Sequence, residues 1–341
     1  MLQYIDIKGT HLISSRIALG TWAIGGWMWG GTDEKESIRT IHAALDYGIN
    51  LIDTAPIYGY GRSEEIVGEA LRQHGDREKV MLATKVGLDW TNGKIERNST
   101  RQRILQELQD SLRRLQTDYI DIYQVHWPDP LVPIEETALT LRELYEQGKV
   151  RAIGVSNFSP EQMVRFESVA PLHTIQPPYN LFEREIERDV LPYAREYSKT
   201  TLAYGALCRG LLSGAMNANR RFAKDDMRKT TDPKFQQPHF AEYLGATDRL
   251  DAFARERFGK RVIHLAVRWL LDQPGVGVAL WGARHPEQLT PIAEVSGWSL
   301  TKSDFAAIDA ILHENIHNPV GPEFMAPPAR ETVEPVAVSV G

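Results

Sequence analysis

Four side chains with acid–base chemistry close three consecutive apolar runs of the chain. Asp53 lies near the end of INLIDTA (49–55) with Tyr58 five residues beyond it, Lys85 ends VMLATK (80–85), and His126 ends YIDIYQVH (119–126). An apolar run that stops at a lysine is hard to explain by packing, because an ammonium is almost never buried unless paired. Asp53 is the natural partner. Such a pair can lower the pKa of a nearby phenol while the carboxylate keeps the lysine protonated and oriented, which makes Tyr58 a usable acid. His126, with a reference pKa near neutrality, can polarise a carbonyl oxygen or hand on a proton. Taken singly, each residue has a plainer reading: Asp53 as a turn or cap, Tyr58 as a satisfied phenol, Lys85 as a rim salt bridge, and His126, followed by Trp127 and Pro128, as a packed histidine. Four such groups at the ends of three successive runs favour the catalytic reading.

The elements that must hold them are eight short runs rich in Val and Ile, alternating with segments of helical period: 16–22, 49–55, 80–85, 119–126, 150–156, 173–176, 200–204 and 275–282. This alternation predicts a parallel sheet covered by helices, and eight repeats predict an α/β fold, a (β/α)8 TIM barrel. Asp33 with Glu36 reads as a capping box ahead of Ile38, Ile41, Ala44 and Leu45, and Gly48 reads as the stop. Ile104, Leu105, Leu108, Leu112 and Leu115 form one face of a covering helix over 101–116, and the helix over 134–149 stops at Gly148. A stretch of 205–238 and a tail rich in Pro and Val lack this period. They read as extra loops at the C-terminal face, a lid or binding loop in the first case and an order-poor end in the second. One domain over 1–341 is expected, with its core at about 15–315 and the tail at about 316–341.

Composition narrows the function. Within 341 residues, 42% are hydrophobic and 25% charged, as in an ordinary globular protein. The net charge of −6 and the absence of a basic stripe argue against nucleic acid. No run of 18 apolar residues and no basic-then-apolar leader is seen, so no membrane partner and a cytoplasmic location are expected. The single cysteine, Cys208, excludes an internal disulfide and a cysteine metal cluster. The strand ends carry no cluster of His and carboxylates at ligand spacing, so no metal is expected.

With these residues in view, the chain resembles an aldo-keto reductase from about 15 to 295. The resemblance rests on GINLIDTAPIYGYGRSE (48–64), ATKV (83–86), DIYQVHWPDP (121–130) and GVSNFS (154–159). It implies a catalytic tetrad of Asp53, Tyr58, Lys85 and His126, with direct hydride transfer from a nicotinamide and no metal. It implies that Ser156, Asn157 and Gln176 hydrogen-bond the nicotinamide carboxamide and that Tyr204 stacks on the ring, with Thr21, Trp22 and Asp53 also at the cofactor. AYGALCRGLLSG (203–214) is similar to the family's pyrophosphate loop, with donors at Gly205, Leu207 and Arg209, but Gly205-Ala206 stand where a Ser-Pro pair is usual. GARHPEQL (282–289) is similar to the segment at the adenosine 2′-phosphate. There Gly282 opens the turn, Arg284 clamps the phosphate, and Gln288 reaches the adenine or ribose. NADP(H) is the expected cofactor, with NAD(H) as the alternative.

Aromatic residues crowd the same rim. Trp22, Trp27, Trp29, Trp90 and Trp127, with Tyr58 and His126, are expected to wall the substrate pocket, and Tyr60 stands near them. The activity implied is reversible reduction of an aldehyde or ketone to an alcohol, on a small polyhydroxy aldehyde, a sugar or an aryl aldehyde. A nicotinamide-binding redox-sensing or regulatory subunit with the same barrel is the competing reading. The partner expected is a small-molecule carbonyl or alcohol, and the oligomeric state is left open.

Overall fold

Eight parallel strands close into a barrel in the computed structural model, which describes residues 2–90 and 93–330. They are β1 (Ile17–Gly20), β2 (Leu51–Asp53), β3 (Met81–Val86), β4 (Ile122–Val125), β5 (Ile153–Ser156), β6 (Thr174–Gln176), β7 (Thr200–Ala203) and β8 (Val276–Gly282). Each pairs with its sequence neighbour, and β8 returns to β1. Seven lie wholly within the apolar runs expected to form them, and β3 runs one residue past its expected end at Lys85, to Val86.

The two faces of each strand pack into different cores, as the two-residue period of a strand requires. Leu19, Ile52 and Leu82 face the covering helices, whereas Ala18, Leu51, Met81, Ala83, Ile122, Leu202 and Val278 fill the barrel. Ile7 and Leu12, from the hairpin of Tyr4–Asp6 and Ile13–Ser15, close its lower end. Continuing the inward period upward runs from Leu51 to Asp53, from Ala83 to Lys85 and from Ile122 through Gln124 to His126. One geometric rule thus brings the acid–base groups to a common mouth.

The covering helices follow the expected signals with two differences. Asp33 caps Glu34–Asp46 by accepting from the Glu36 amide at 3.0 Å. The box is not completed, because the Glu36 carboxylate turns to Arg39 and, at 3.3 Å, to His285. In Arg101–Leu115 the buried face includes Glu107 and Ser111 as well as Ile104, Leu108 and Leu115, while Leu105 and Leu112 are half-buried.

The stretch 205–238 holds short helical turns at Cys208–Ser213, Met227–Thr230 and Pro233–Phe235, and leads into a long helix, His239–Phe258. Its buried Leu211, Leu212, Met227 and Phe235 are too sparsely spaced to show a period. The tail up to Arg330 packs at the barrel mouth, where Arg97 donates from its backbone to Pro328 O and from Nε to Pro327 O, at 3.1 and 2.8 Å. The rest of the expected tail, 331–341, lies outside the described residues. Among the described residues no helix is long and apolar enough to cross a membrane.

Candidate active site

At the mouth, Lys85 Nζ donates to Asp53 Oδ1 at 2.6 Å, to Thr54 O at 3.0 Å and to the Tyr58 hydroxyl at 3.3 Å. The ion pair is almost wholly buried. The His126 ring meets the Tyr58 ring edge-on with centroids 5.9 Å apart. All four sequence-predicted groups therefore converge. Asp53 Oδ2 accepts from Gln176 Nε2 at 2.7 Å and from Gln124 Nε2 at 3.3 Å, so both oxygens of this carboxylate are held.

The electrostatics differ from expectation in one respect. Shielding from water, with the Asp53 charge beside it, pushes the Tyr58 phenol well above its ordinary range. The nearby ammonium does not outweigh these effects, so the phenol is held as a loaded proton donor. Burial draws Lys85 downward, and the Asp53 carboxylate opposes this. Burial and the Lys85 charge hold His126 well below its ordinary value, so the imidazole is neutral and acts as a hydrogen-bonding group rather than a stored proton.

Two hollows meet at Trp22, Tyr58 and Tyr204. The smaller, a cavity of about 270 Å³, is walled by Trp22, Trp27, Tyr58, His126 and Trp127 as expected, and also by Ser156, Asn157 and Gln176. Two expected wall residues stand elsewhere. Trp29 packs edge-on to Trp22 at 5.4 Å beneath Arg228 and lines the larger groove instead. Trp90 lies behind the cavity, between Tyr60 and Arg103.

Around Asn157, held in the left-handed region at φ 62°, a small polar net forms at the junction. Asn157 Nδ2 donates to His126 O and to Ser156 Oγ, both at 3.0 Å, and its Oδ1 accepts from the Tyr204 hydroxyl at 2.9 Å. Ser156 Oγ donates to Gln176 O at 2.6 Å. Thr21 donates through backbone and side chain to Asp53 O, each at 2.9 Å, tying β1 to β2 at the groove floor.

The larger groove, about 550 Å³, carries Thr21, Trp22, Asp53, Tyr204, Gly205, Leu207, Arg209, Gly282, Arg284 and Gln288 along its length. Five arginines line it, Arg209, Arg220, Arg228, Arg261 and Arg284, against Asp53 and Glu287 as its carboxylates. That donor set fits a long, multiply charged anion.

Three expected contacts are engaged within the protein. Arg209 turns its guanidinium down to Glu183 and Asp232, both at 2.5 Å. Gln288 Oε1 accepts from the Arg284 and His285 amides at 2.7 and 3.3 Å, capping the turn that follows. Arg284 donates to Trp29 O and Gly31 O at 2.7 and 2.5 Å, clasping the loop after β1 to the end of β8. Its Nε and Nη groups can still face the groove, since a guanidinium carries five donors.

The model of the Aldo/keto reductase family matches residues 16–313. The chain belongs to the aldo/keto reductase family. Membership carries oxidoreductase chemistry at carbonyl groups with a nicotinamide cofactor. This aldo/keto reductase is 63% identical over 332 residues to aldo-keto reductase YhdN of Bacillus subtilis, covering 97% of the chain and all of that protein. It is 34% identical to the NADH-specific methylglyoxal reductase of Escherichia coli, covering 89% of the chain and 96% of the relative. Among solved structures it resembles the glycerol dehydrogenase AKR11B4 of Gluconobacter oxydans, at 56% identity and a TM-score of 0.85, covering 95% and 99% of the two chains.

Several site residues escaped the sequence reading of this aldo/keto reductase. Gln124 was detectable, because it sits on the inward period between Ile122 and His126. Phe324, Met325, Pro327 and Pro328 of the tail, and Met28 and Met227, also wall the cavity. Arg228 and Arg261 reach the groove from segments with no local signal. Only tertiary folding brings these together.

Proposed function

We propose that the chain is an NADP(H)-dependent aldehyde reductase and alcohol dehydrogenase in which Tyr58 is the general acid. The observation that carries this reading is the buried chain from Asp53 through Lys85 to the Tyr58 hydroxyl, at 2.6 and 3.3 Å, ending where groove and cavity meet. When bound in the groove, the reduced nicotinamide supplies a hydride to the carbonyl carbon. Tyr58 gives its proton to the carbonyl oxygen, and Lys85 then neutralises the phenolate left behind. Asp53 keeps Lys85 charged, and neutral His126 orients the oxygen by hydrogen bonding. Ser156, Asn157 and Gln176 would hold the carboxamide, and Tyr204 would stack on the ring. Arg284 with Arg228 beside it would hold the 2′-phosphate, which supports NADP(H) although one relative is NADH-specific.

A small three-carbon carbonyl or alcohol is the substrate class the relatives favour, since one is a glycerol dehydrogenase and another a methylglyoxal reductase, and a small polyhydroxy aldehyde falls within it. Aromatic walls suit the C–H faces of such molecules and also aryl aldehydes. The test is turnover of NADPH and of NADH with DL-glyceraldehyde, followed by the loss of reduced-nicotinamide absorbance, with and without EDTA. NADPH turnover at least tenfold more efficient, and unchanged by EDTA, is expected. Tight NADPH binding without turnover of any aldehyde would instead indicate the sensor role.

A further inference from the structure

Beneath the floor shared by groove and cavity lies a buried cluster of four charges that the proton chemistry does not use. Glu183 Oε1 accepts from Arg209 Nη2 at 2.5 Å and from Lys234 Nζ at 2.9 Å, while Asp232 Oδ2 accepts from Arg209 Nε at 2.5 Å. Two cations face two anions, and none of the four side chains is more than 3% exposed. Against the upward push of burial, Arg209 and Lys234 pull the Glu183 carboxyl down to about 2. Burying each charge is costly before pairing, and paired clusters of this kind bring little net stability. What this cluster does is position two segments that belong to different hollows.

One arm reaches the groove. Asn180 Nδ2 donates to Glu183 Oε2 at 2.7 Å and to Gly205 O at 3.0 Å, and Arg209 lies on the groove wall. The chain at Cys208, Arg209 and Gly210 is left-handed, with φ of 44°, 52° and 99°. Such a run is unfavourable for the two non-glycine residues, and the ion pairs of Arg209 fix its geometry. The other arm reaches the cavity. Lys234 Nζ donates to Gly321 O at 3.1 Å. Arg209 and Lys234 both stand over the Phe324 ring, 5.4 and 5.5 Å from its centre, and Phe324 walls the cavity.

We propose that Lys234 is a positioning residue for substrate binding: it fixes Gly321 and the Phe324 wall to the same Glu183 carboxylate that anchors the Gly205–Gly210 turn of the groove. The substrate cavity thereby takes its depth from the loop that lines the groove. Lys234 itself lines neither hollow, so it acts through Phe324. The inference rests on reading the groove as the dinucleotide site.

The experiment uses the full chain with NADPH and DL-glyceraldehyde and compares Lys234→Met, Lys234→Arg, Phe324→Ala and the double variant Lys234→Met/Phe324→Ala. Lys234→Met is expected to raise the aldehyde KM about tenfold, with kcat and the NADPH Kd each within about threefold of wild type. Lys234→Arg restores most of the loss. Phe324→Ala raises KM by a similar factor, and in the double variant the two effects do not add, because they act through one wall. A lowered Tm with unchanged KM in Lys234→Met, or additive effects in the double variant, would overturn the proposal while NADPH binding leaves the groove reading intact. An unchanged KM in Phe324→Ala, whose half-buried ring can be removed without breaking any of the ion pairs, overturns it even if Lys234→Met does not fold. Failure of the wild type to bind NADPH would sink the groove reading and this inference with it.

Discussion

The Lys85 ammonium lies 5.0 Å from the centre of the Tyr58 ring and 3.3 Å from its hydroxyl, so one buried cation contacts both the π face and the acidic end of the same residue. Tyr58→Phe removes only the second contact. The ring packing on Trp22 and His126 is retained, and so is the cation–π attraction. The variant is expected to bind NADPH within about twofold of wild type while kcat for glyceraldehyde falls by about 10³-fold, within the range for a lost general acid. Fluorescence titration and steady-state rates check this. A variant that keeps more than a tenth of the activity would remove Tyr58 from the acid role.

The Asp53–Lys85 pair carries a separate stability prediction. Removing one partner leaves the other charge buried, which costs about 3–5 kcal/mol. Lys85→Met should therefore unfold at markedly lower denaturant concentration than wild type, and Lys85→Met with Asp53→Asn should recover most of that loss. Neither variant should regain activity. Equal midpoints for the two variants in urea would show that the pair is not electrostatically coupled in this way.

How far these features could be read in the sequence follows from their geometry. Strands and tetrad were visible because both obey local rules: apolar runs with a two-residue period, ending in polar residues on the inward side. Gln124 obeys the same rule and was within reach. Phe324 and Arg228 were not, since a proline-rich tail and a charged loop carry no period, and what places them is the hydrogen bonding of Arg97 to Pro327 and the cation–π stacking of Arg228 on Trp29 and Phe222. Glu36 misled in the opposite way: its spacing from Asp33 satisfies the capping pattern, but Arg39 and His285 compete for its carboxylate.

The raised phenol makes the two directions of reaction differ in their response to pH. Reduction needs protonated Tyr58, and because its pKa lies well above 10, kcat for reduction should stay level from about pH 6 to 9. Oxidation needs the phenolate, so its kcat should climb across the same range without reaching a plateau. Rates in both directions at fixed saturation test this. A plateau in the oxidation profile below pH 9 would mean that bound cofactor lowers the phenol.

Arg284 should decide between the two dinucleotides. Its substitution by Leu removes a charged hydrogen bond to a 2′-phosphate, worth about 1.5–3 kcal/mol, and touches nothing that NADH offers. The NADPH Kd is expected to rise by about 10- to 100-fold while that for NADH changes little. An equal loss for both would assign Arg284 only to clasping Trp29 and Gly31.

Glu107 offers a test outside the site. It is buried on the helix Arg101–Leu115, accepts from the Gly87 amide at 3.0 Å and lies 3.4 Å from Arg103 Nε. Burial outweighs Arg103 and raises its carboxyl from the ordinary 4.5 to about 7. A carboxyl with a raised folded pKa contributes stability that is fully present below the unfolded value and lost as pH rises through the folded value. Wild type should thus weaken between about pH 4.5 and 7. Glu107→Gln keeps an oxygen for the Gly87 amide and cannot ionise, so it should gain on wild type over that window by up to about 3 kcal/mol, the equivalent of the shift at about 1.4 kcal/mol per unit. Urea unfolding of both proteins at pH 5 and pH 8 measures the difference directly. If the gap between them does not change with pH, Arg103 holds Glu107 ionised throughout, and the buried carboxylate is a paired charge rather than a proton carrier.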